Sequence, residues 1–293
     1  MRRYPYRTLD VFAERPLEGN PLAVIPEAQG ISDLEMQAVA REFNLSETTF
    51  VLRRDEALEA ERGIRTRIFT VDRELPFAGH PTLGTATALR GDATVDQVAL
   101  ELDVGRVPVR FRAGAGPTYA EMTQPTPVFG RIHAIDAVAA ALGVPAAALD
   151  PGAPPQTVST GNAFGIVAFR QLATLQSWRP SWPRLAAWLA GTDASFVYAV
   201  SAETVDPACQ LHARMPFIGG EDPATGSAVG PAVAWMVQNG RATSDELITV
   251  EQGLEVHRPS RLYAQARRTA GEIEDVRVGG FVHSISEGTL TIP

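Results

Sequence analysis

Pro81-Thr82-Leu83-Gly84-Thr85-Ala86 recurs 142 positions later as Pro223-Ala224-Thr225-Gly226-Ser227-Ala228. The pair Gly19-Asn20 recurs at the same offset as Gly161-Asn162. In both copies the Gly-Asn pair precedes an apolar strand, and the longer stretch begins a helix of small residues. The sequence therefore predicts two similar halves that face each other across one cleft.

Each longer stretch enters its helix through glycine and proline. The first N–H groups of a helix have no partner within it and carry partial positive charge, so two such helix starts suit a carboxylate. Proline and glycine are also ordinary helix-start signals, and Asp222 before Pro223 is a good N-cap. The ionisable residues His80 and Asp222, directly before the two prolines, favour a binding site. We expect a small anionic substrate between the halves.

Composition limits the classes of function. The chain has 293 residues, of which 45% are hydrophobic and 20% charged, as in a soluble globular protein of two domains. A net charge of −8 argues against a nucleic acid or an anionic membrane as a partner, because either requires a basic surface. No apolar run approaches the roughly 20 residues of a membrane span. We expect a cytoplasmic protein.

The chain lacks several residues and motifs that commonly bind cofactors. The chain has no lysine, which excludes a Schiff base with pyridoxal phosphate and a P-loop. No GxGxxG motif follows a strand, and no Cys/His cluster has zinc spacing. We therefore expect neither a cofactor nor a metal. The single cysteine, Cys209, lies in an alternating strand pattern and is expected to be a core residue rather than a nucleophile.

Strands alternate with helices in both halves. The clearest helix start is at Ser32, where Ser32 and Glu35 form a capping box. The repeated stretches predict helices over Pro81–Leu89 and Pro223–Val237.

A stretch rich in glycine and proline, 113–127, marks the expected boundary between the halves. It predicts an N-terminal lobe over residues 1–115 and a C-terminal lobe over 116–281. The last strand, about 282–293, is expected to cross back to the first lobe.

Several motifs occur together in a fixed order from the N-terminus to near residue 285. They are Asp10-Val11-Phe12, Gly19-Asn20-Pro21-Leu22-Ala23-Val24, Asn44-Leu45-Ser46-Glu47-Thr48, Phe77-Ala78-Gly79-His80-Pro81, Glu221-Asp222-Pro223-Ala224-Thr225-Gly226-Ser227-Ala228, Glu251-Gln252-Gly253 and Arg258-Pro259-Ser260. As an ordered set, they resemble the phenazine-biosynthesis PhzF family.

The resemblance implies an α+β fold similar to that of diaminopimelate epimerase and proline racemase. That fold has two pseudo-symmetric lobes, each a curled mixed sheet or barrel around a central helix, with the active-site cleft between them. The resemblance also implies a homodimer.

The implied chemistry is a cofactor-free isomerisation of the trans-2,3-dihydro-3-hydroxyanthranilate type, in which a proton moves from ring C3 to C1. Glu47 matches the general acid/base, and His80 and Asp222 would assist protonation and orient the substrate. A carboxyl group in this role needs partial burial. Three residues would bind the substrate carboxylate through loop and helix-start donors: Gly79, Gly226 and Ser227.

Other interpretations stay open. An isolated glutamate such as Glu47 is usually a solvated surface group, and the ring of His80 can equally be satisfied by loop backbone. The remaining histidines are expected to be structural: His133, His212, His257 and His283. Neither repeated loop carries a cysteine, which argues against a two-thiol racemase. Two alternatives remain, an amino-acid racemase or epimerase that uses carboxylate and imidazole, and a carboxylate-binding protein without catalysis.

Overall fold

The computed structural model describes residues 1–112, 117–217 and 219–293. The chain divides into two compact units. Unit 1 comprises Met1–Thr123 and Gly279–Pro293, and unit 2 comprises Gln124–Val278. The predicted boundary between residues 115 and 116 lies outside the described residues.

In unit 1, helices lie between some of the strands but not between all of them. Its strands are β1 (Arg2–Val11), β2 (Asn20–Ile25), β3 (Glu47–Leu52), β4 (Ile64–Phe69), β5 (Glu74–Leu75), β6 (Gln97–Leu102), β7 (Gly105–Arg112) and β8 (Thr118–Thr123). Its helices are α1 (Asp33–Phe43), α2 (Glu56–Arg62) and α3 (Gly79–Arg90).

Unit 2 has the following strands: β9 (Val128–Ile132), β10 (Gln156–Ser159), β11 (Ala163–Phe169), β12 (Phe196–Ser201), β13 (Leu211–Phe217), β14 (Gly220–Asp222), β15 (Ile248–Gln252) and β16 (Ser260–Thr269). Its helices are α4 (Ile135–Leu142), α5 (Leu172–Ser177), α6 (Trp182–Ala190) and α7 (Gly226–Gln238). Strand β17 (Glu272–Ile292) runs from unit 2 into unit 1.

The main sheet of unit 1 is mixed and closes on itself. Strands β2 and β3 pair in parallel, as do β4 and β6, while β1–β2, β3–β4, β6–β7 and β7–β8 are antiparallel. Strands β1 and β8 both pair with β17 and so complete an eight-strand barrel. Helix α3 is its central helix and is buried along most of its length.

Unit 2 repeats this connectivity. Strands β11 and β12 pair in parallel, as do β13 and β15, and α7 forms the crossover between the second pair. The pairs β10–β11, β12–β13 and β15–β16 are antiparallel. Each unit is therefore a mixed sheet with a central helix, which confirms the predicted α+β class with two similar lobes.

Small residues let the strands approach the central helix closely. A Cβ atom added at Gly84 of α3 would lie 2.5 Å from Cδ2 of Leu22 and 2.8 Å from Cγ2 of Val11. The Oγ1 atoms of Thr49 and Thr85 are 2.8 Å apart and join β3 to the same helix. The repeated glycine is thus a packing residue in unit 1.

The start of α1 agrees with the sequence, and the start of α7 does not. Ser32 and Glu35 form the predicted capping box. Helix α7 begins at Gly226, so the predicted start at Pro223 is wrong. The N-cap is Thr225, and Asp222 instead ends β14. Side-chain hydrogen bonds hold Thr225 in this turn before the helix.

Cys209 is buried, 6% exposed, as expected for a core residue. Within the described part of the chain, no helix is long and apolar enough to cross a membrane. The same residues contain no group of three or more His, Cys, Asp or Glu side chains arranged to hold a metal ion.

Candidate functional site

In unit 1 the predicted general acid/base lies at the beginning of a strand. Glu47 is the first residue of β3 and pairs with Leu22 of β2 in a parallel register. Asn20 is the first residue of β2, and the turn before it uses Gly19 at φ 71°, a left-handed conformation that favours glycine. The parallel pairing therefore brings the starts of β2 and β3 to the same edge.

His80 reaches this edge from the first turn of α3. Its Nδ1 lies 3.2 Å from Nδ2 of Asn20, and its Nε2 lies 3.4 Å from Oε2 of Glu47. The side chain of His80 is 3% exposed and that of Glu47 is 14% exposed. The structure thus brings together two predicted site residues and meets the requirement that the Glu47 carboxyl group be partly buried.

Burial controls the charge of the His80 ring. It lowers the pKa of His80 to about 3, so the imidazole is neutral near pH 7. If the Asn20 amide donates to Nδ1, the single ring proton is on Nε2 and faces Glu47. A buried carboxyl group beside a neutral imidazole can take a proton from a carbon acid and return it, because an uncharged ring does not hold the carboxyl group in its ionised form.

Gly79, predicted to bind substrate, is the first residue of α3 and is buried. The N-cap before it, Ala78, has no side chain that could accept the first helical N–H groups. Together with the amide of His80, the Gly79 amide belongs to the first turn, where the helix dipole favours an anion.

The other three predicted site residues lie in unit 2. Asp222 ends β14, and the buried residues Gly226 and Ser227 begin α7. The Oγ1 hydroxyl of Thr225 donates to Oδ2 of Asp222 over 2.7 Å. The structure therefore places a carboxylate beside the N-terminus of the central helix in unit 2, just as it places His80 at the N-terminus of α3 in unit 1.

Three contacts at these positions were not predicted. Asn20 belongs to the repeated Gly-Asn pair, but no local pattern joins it to His80. Gln252 lies in the matched motif Glu251-Gln252-Gly253, yet no role was assigned to it. Its amide contacts both Asp222 and Thr225. The available signals were the repeat, which contains Asn20, and the motif, which contains Gln252. Neither signal indicates which residue the side chain contacts.

Comparison with known proteins gives a match over nearly the whole chain. Residues 9–288 match the PhzC-PhzF family, described as phenazine biosynthesis-like protein. An uncharacterized isomerase of Mesorhizobium japonicum is 35% identical, with 100% of both chains covered. The trans-2,3-dihydro-3-hydroxyanthranilate isomerase of Pseudomonas aeruginosa is 34% identical, with 97% of this chain and 98% of that protein covered.

Solved structures share the fold. A predicted epimerase from Pseudomonas aeruginosa superposes with a TM-score of 0.86 at 36% identity, covering 99% of this chain and 100% of the other. A probable proline racemase from Agrobacterium radiobacter has a TM-score of 0.70 at 11% identity and covers 99% of this chain and 93% of its own. The second likeness confirms the fold predicted from the sequence.

Proposed function

Since the chain is an isomerase that belongs to the phenazine biosynthesis-like protein family, we propose that it moves a proton on a small carboxylic acid without a cofactor. Glu47 is the general acid/base. The observation that carries the proposal is the buried contact between Oε2 of Glu47 and Nε2 of the neutral His80, at 3.4 Å.

The proposed reaction is a proton transfer between two carbons of one ring. The carboxylate of Glu47 takes the proton from C3 of trans-2,3-dihydro-3-hydroxyanthranilate. The electron pair of that C–H bond enters the π system of the ring. The carboxylic acid so formed then returns the proton at C1, which restores the carboxylate. One group serves both steps because the two carbons lie on the same ring, and the reaction consumes no other reagent.

The remaining roles are carried over from the matched motifs. His80, kept neutral by burial, leaves the carboxyl group of Glu47 able to take up and release the proton. We assign Asp222 to assisting protonation and orienting the substrate. The amides at the two helix starts would bind the substrate carboxylate: Gly79, Gly226 and Ser227.

We further propose a cytoplasmic homodimer, to be tested by sedimentation equilibrium of the purified protein.

The test is an NMR assay with trans-2,3-dihydro-3-hydroxyanthranilate in D₂O. We expect turnover by the wild-type protein and a loss of about 100- to 10,000-fold in kcat for Glu47→Gln, the usual contribution of a general acid/base. Glu42→Gln is the matched control, since Glu42 is an exposed glutamate in the same unit. A Glu47→Gln variant with wild-type turnover would contradict the proposal.

A second candidate function is epimerisation, because the solved structure at 36% identity is named a predicted epimerase. The same NMR assay in D₂O distinguishes epimerisation from proton transfer between two ring carbons. Inversion of one stereocentre, with deuterium entering at that carbon alone, would favour the epimerase.

A ligand that raises the melting temperature equally in wild type and Glu47→Gln, without any exchange of hydrogen, would instead indicate a carboxylate-binding protein.

A further inference from the structure

We propose that Gln252 and Thr225 are positioning residues that hold the carboxylate of Asp222 in one orientation. This inference rests on the role proposed above for Asp222. It concerns a network of side-chain hydrogen bonds that lies entirely within unit 2.

The amide of Gln252 has four partners. Its Oε1 accepts from the hydroxyl of Tyr198 over 3.0 Å and from the backbone N–H of Thr225 over 3.2 Å. Its Nε2 donates to the backbone oxygen of Asp222 over 2.7 Å and to Oγ1 of Thr225 over 2.9 Å. Gln252 is 0% exposed, so no solvent competes for these bonds. A fully satisfied buried amide of this kind has one orientation.

The partners of Gln252 decide which group donates and which accepts in each hydrogen bond of the network. Burial, with a further contribution from the charge of Asp222, raises the pKa of Tyr198 well above its usual value, so this hydroxyl keeps its proton and donates. The backbone partners fix the orientation of the Gln252 amide, because the N–H of Thr225 can only donate and the backbone oxygen of Asp222 can only accept. Gln252 therefore presents Oε1 to the Tyr198 hydroxyl and an N–H of Nε2 to Oγ1 of Thr225. Because Oγ1 of Thr225 accepts from that N–H, its own proton is available to Oδ2 of Asp222, 2.7 Å away.

Strand pairing also holds the main chain of Asp222. Asp222 pairs with Met215 in the antiparallel register of β13 and β14. The preceding residue, Glu221, accepts a 3.1 Å hydrogen bond from Nε of the buried Arg214. Gln252 thus fixes the backbone oxygen of Asp222 directly and its carboxylate through Thr225. A misplacement of about 1 Å in a catalytic group can cost about 100-fold in rate.

The test compares Thr225→Val, which removes the hydroxyl at nearly constant volume, with Thr225→Ser, which keeps it. Thr157→Val is the matched control, because Oγ1 of Thr157 also donates over 2.7 Å to an aspartate of unit 2, Asp193. In crystal structures we expect Oδ2 of Asp222 to move by about 1 Å or more in Thr225→Val. It should stay in place in the other two variants. An unmoved Asp222 in Thr225→Val would overturn the proposal.

Kinetics with trans-2,3-dihydro-3-hydroxyanthranilate supply the second readout. We expect kcat to fall about 10- to 100-fold in Thr225→Val, with KM within about threefold of wild type, and Thr225→Ser to recover most of kcat. An equal fall in Thr157→Val would mean a general structural effect and would count against the proposal. If the wild type does not turn over this compound, the proposed function fails, while the crystal comparison still decides the positioning role.

Tyr198→Phe provides a variant that preserves Thr225. It removes the donor at the far end of the network and leaves Oε1 of Gln252 with the N–H of Thr225. We expect a smaller displacement of Asp222 in the same direction. If Thr225→Val does not fold, an unchanged Asp222 in Tyr198→Phe would overturn the proposal.

Discussion

Nε2 of His80 lies 3.4 Å from Oε2 of Glu47, and burial keeps that imidazole neutral. A charged imidazolium at this distance would hold Glu47 as a carboxylate. A neutral ring instead leaves the carboxyl group free to alternate between its protonated and ionised forms, which is the property a proton shuttle requires.

His80 should not titrate between pH 5 and pH 8. Its pKa of about 3 lies below this range because burial disfavours the charged ring. Long-range ¹H–¹⁵N NMR spectra of protein labelled at histidine should show a neutral ring with its proton on Nε2. A proton on Nδ1 would contradict the assigned role of Asn20.

Asn20→Ala should disturb the ring of His80. The substitution removes the 3.2 Å contact with Nδ1 and leaves a buried polar atom without that partner. We expect a loss of about 1–3 kcal/mol in the free energy of unfolding and a mixture of ring tautomers in the same NMR spectra. The control is Asn239→Ala, at an exposed helix end, which should leave His80 unchanged. A single unaltered tautomer in Asn20→Ala would count against the prediction.

Gly84→Ala should destabilise the fold. The new methyl group would meet Leu22 and Val11, both fully buried in the barrel. Overpacking of this kind costs about 1–3 kcal/mol, measurable by urea unfolding. Gly191→Ala is the control, because a Cβ there lies no closer than 3.6 Å to its nearest neighbour and φ is −98°. Equal stability of the two variants would show that α3 can shift without cost.

The buried His212 should make stability depend on pH. The ring is 0% exposed, and its Nδ1 and Nε2 lie 2.8 Å and 3.0 Å from the carboxylates of Glu251 and Glu255. Burial alone would lower the pKa of His212, but the hydrogen bonds to both glutamates outweigh it and raise the pKa to about 9. The folded state therefore binds this proton more tightly than the unfolded chain does.

A pKa raised in the folded state contributes stability that is complete below about pH 6.5 and is lost as pH rises through about 9. The loss should be about 3 kcal/mol. His212→Asn should be less stable at pH 6, and its deficit should shrink toward pH 9.5, as measured by urea unfolding. His257→Asn, at an exposed position, is the matched control substitution. A constant deficit for His212→Asn at all pH values would refute the charged network.

Local signals in the sequence predicted much of the fold. The capping box at Ser32 and Glu35 and the Gly-Asn pair at Gly19 depend on residues close together in the chain, so they can be recognised without a structure. The start of α7 could not be predicted in this way. Hydrogen bonds between Thr225 and Gln252 hold Thr225 ahead of the helix, and local propensity does not indicate a partner on another strand.

The sequence by itself determined that the chain has two similar halves, and the ordered motifs identified Glu47, His80 and Asp222 as candidates. Only the tertiary structure decided what each of them contacts. Asn20 contacts His80 where the start of β2 meets the start of the central helix α3. Gln252 contacts Thr225 and Asp222 from β15, which pairs in parallel with β13. Burial makes His80 neutral, whereas hydrogen bonds to Glu251 and Glu255 keep the buried His212 charged. Both effects are properties of the packed chain and not of the residue types.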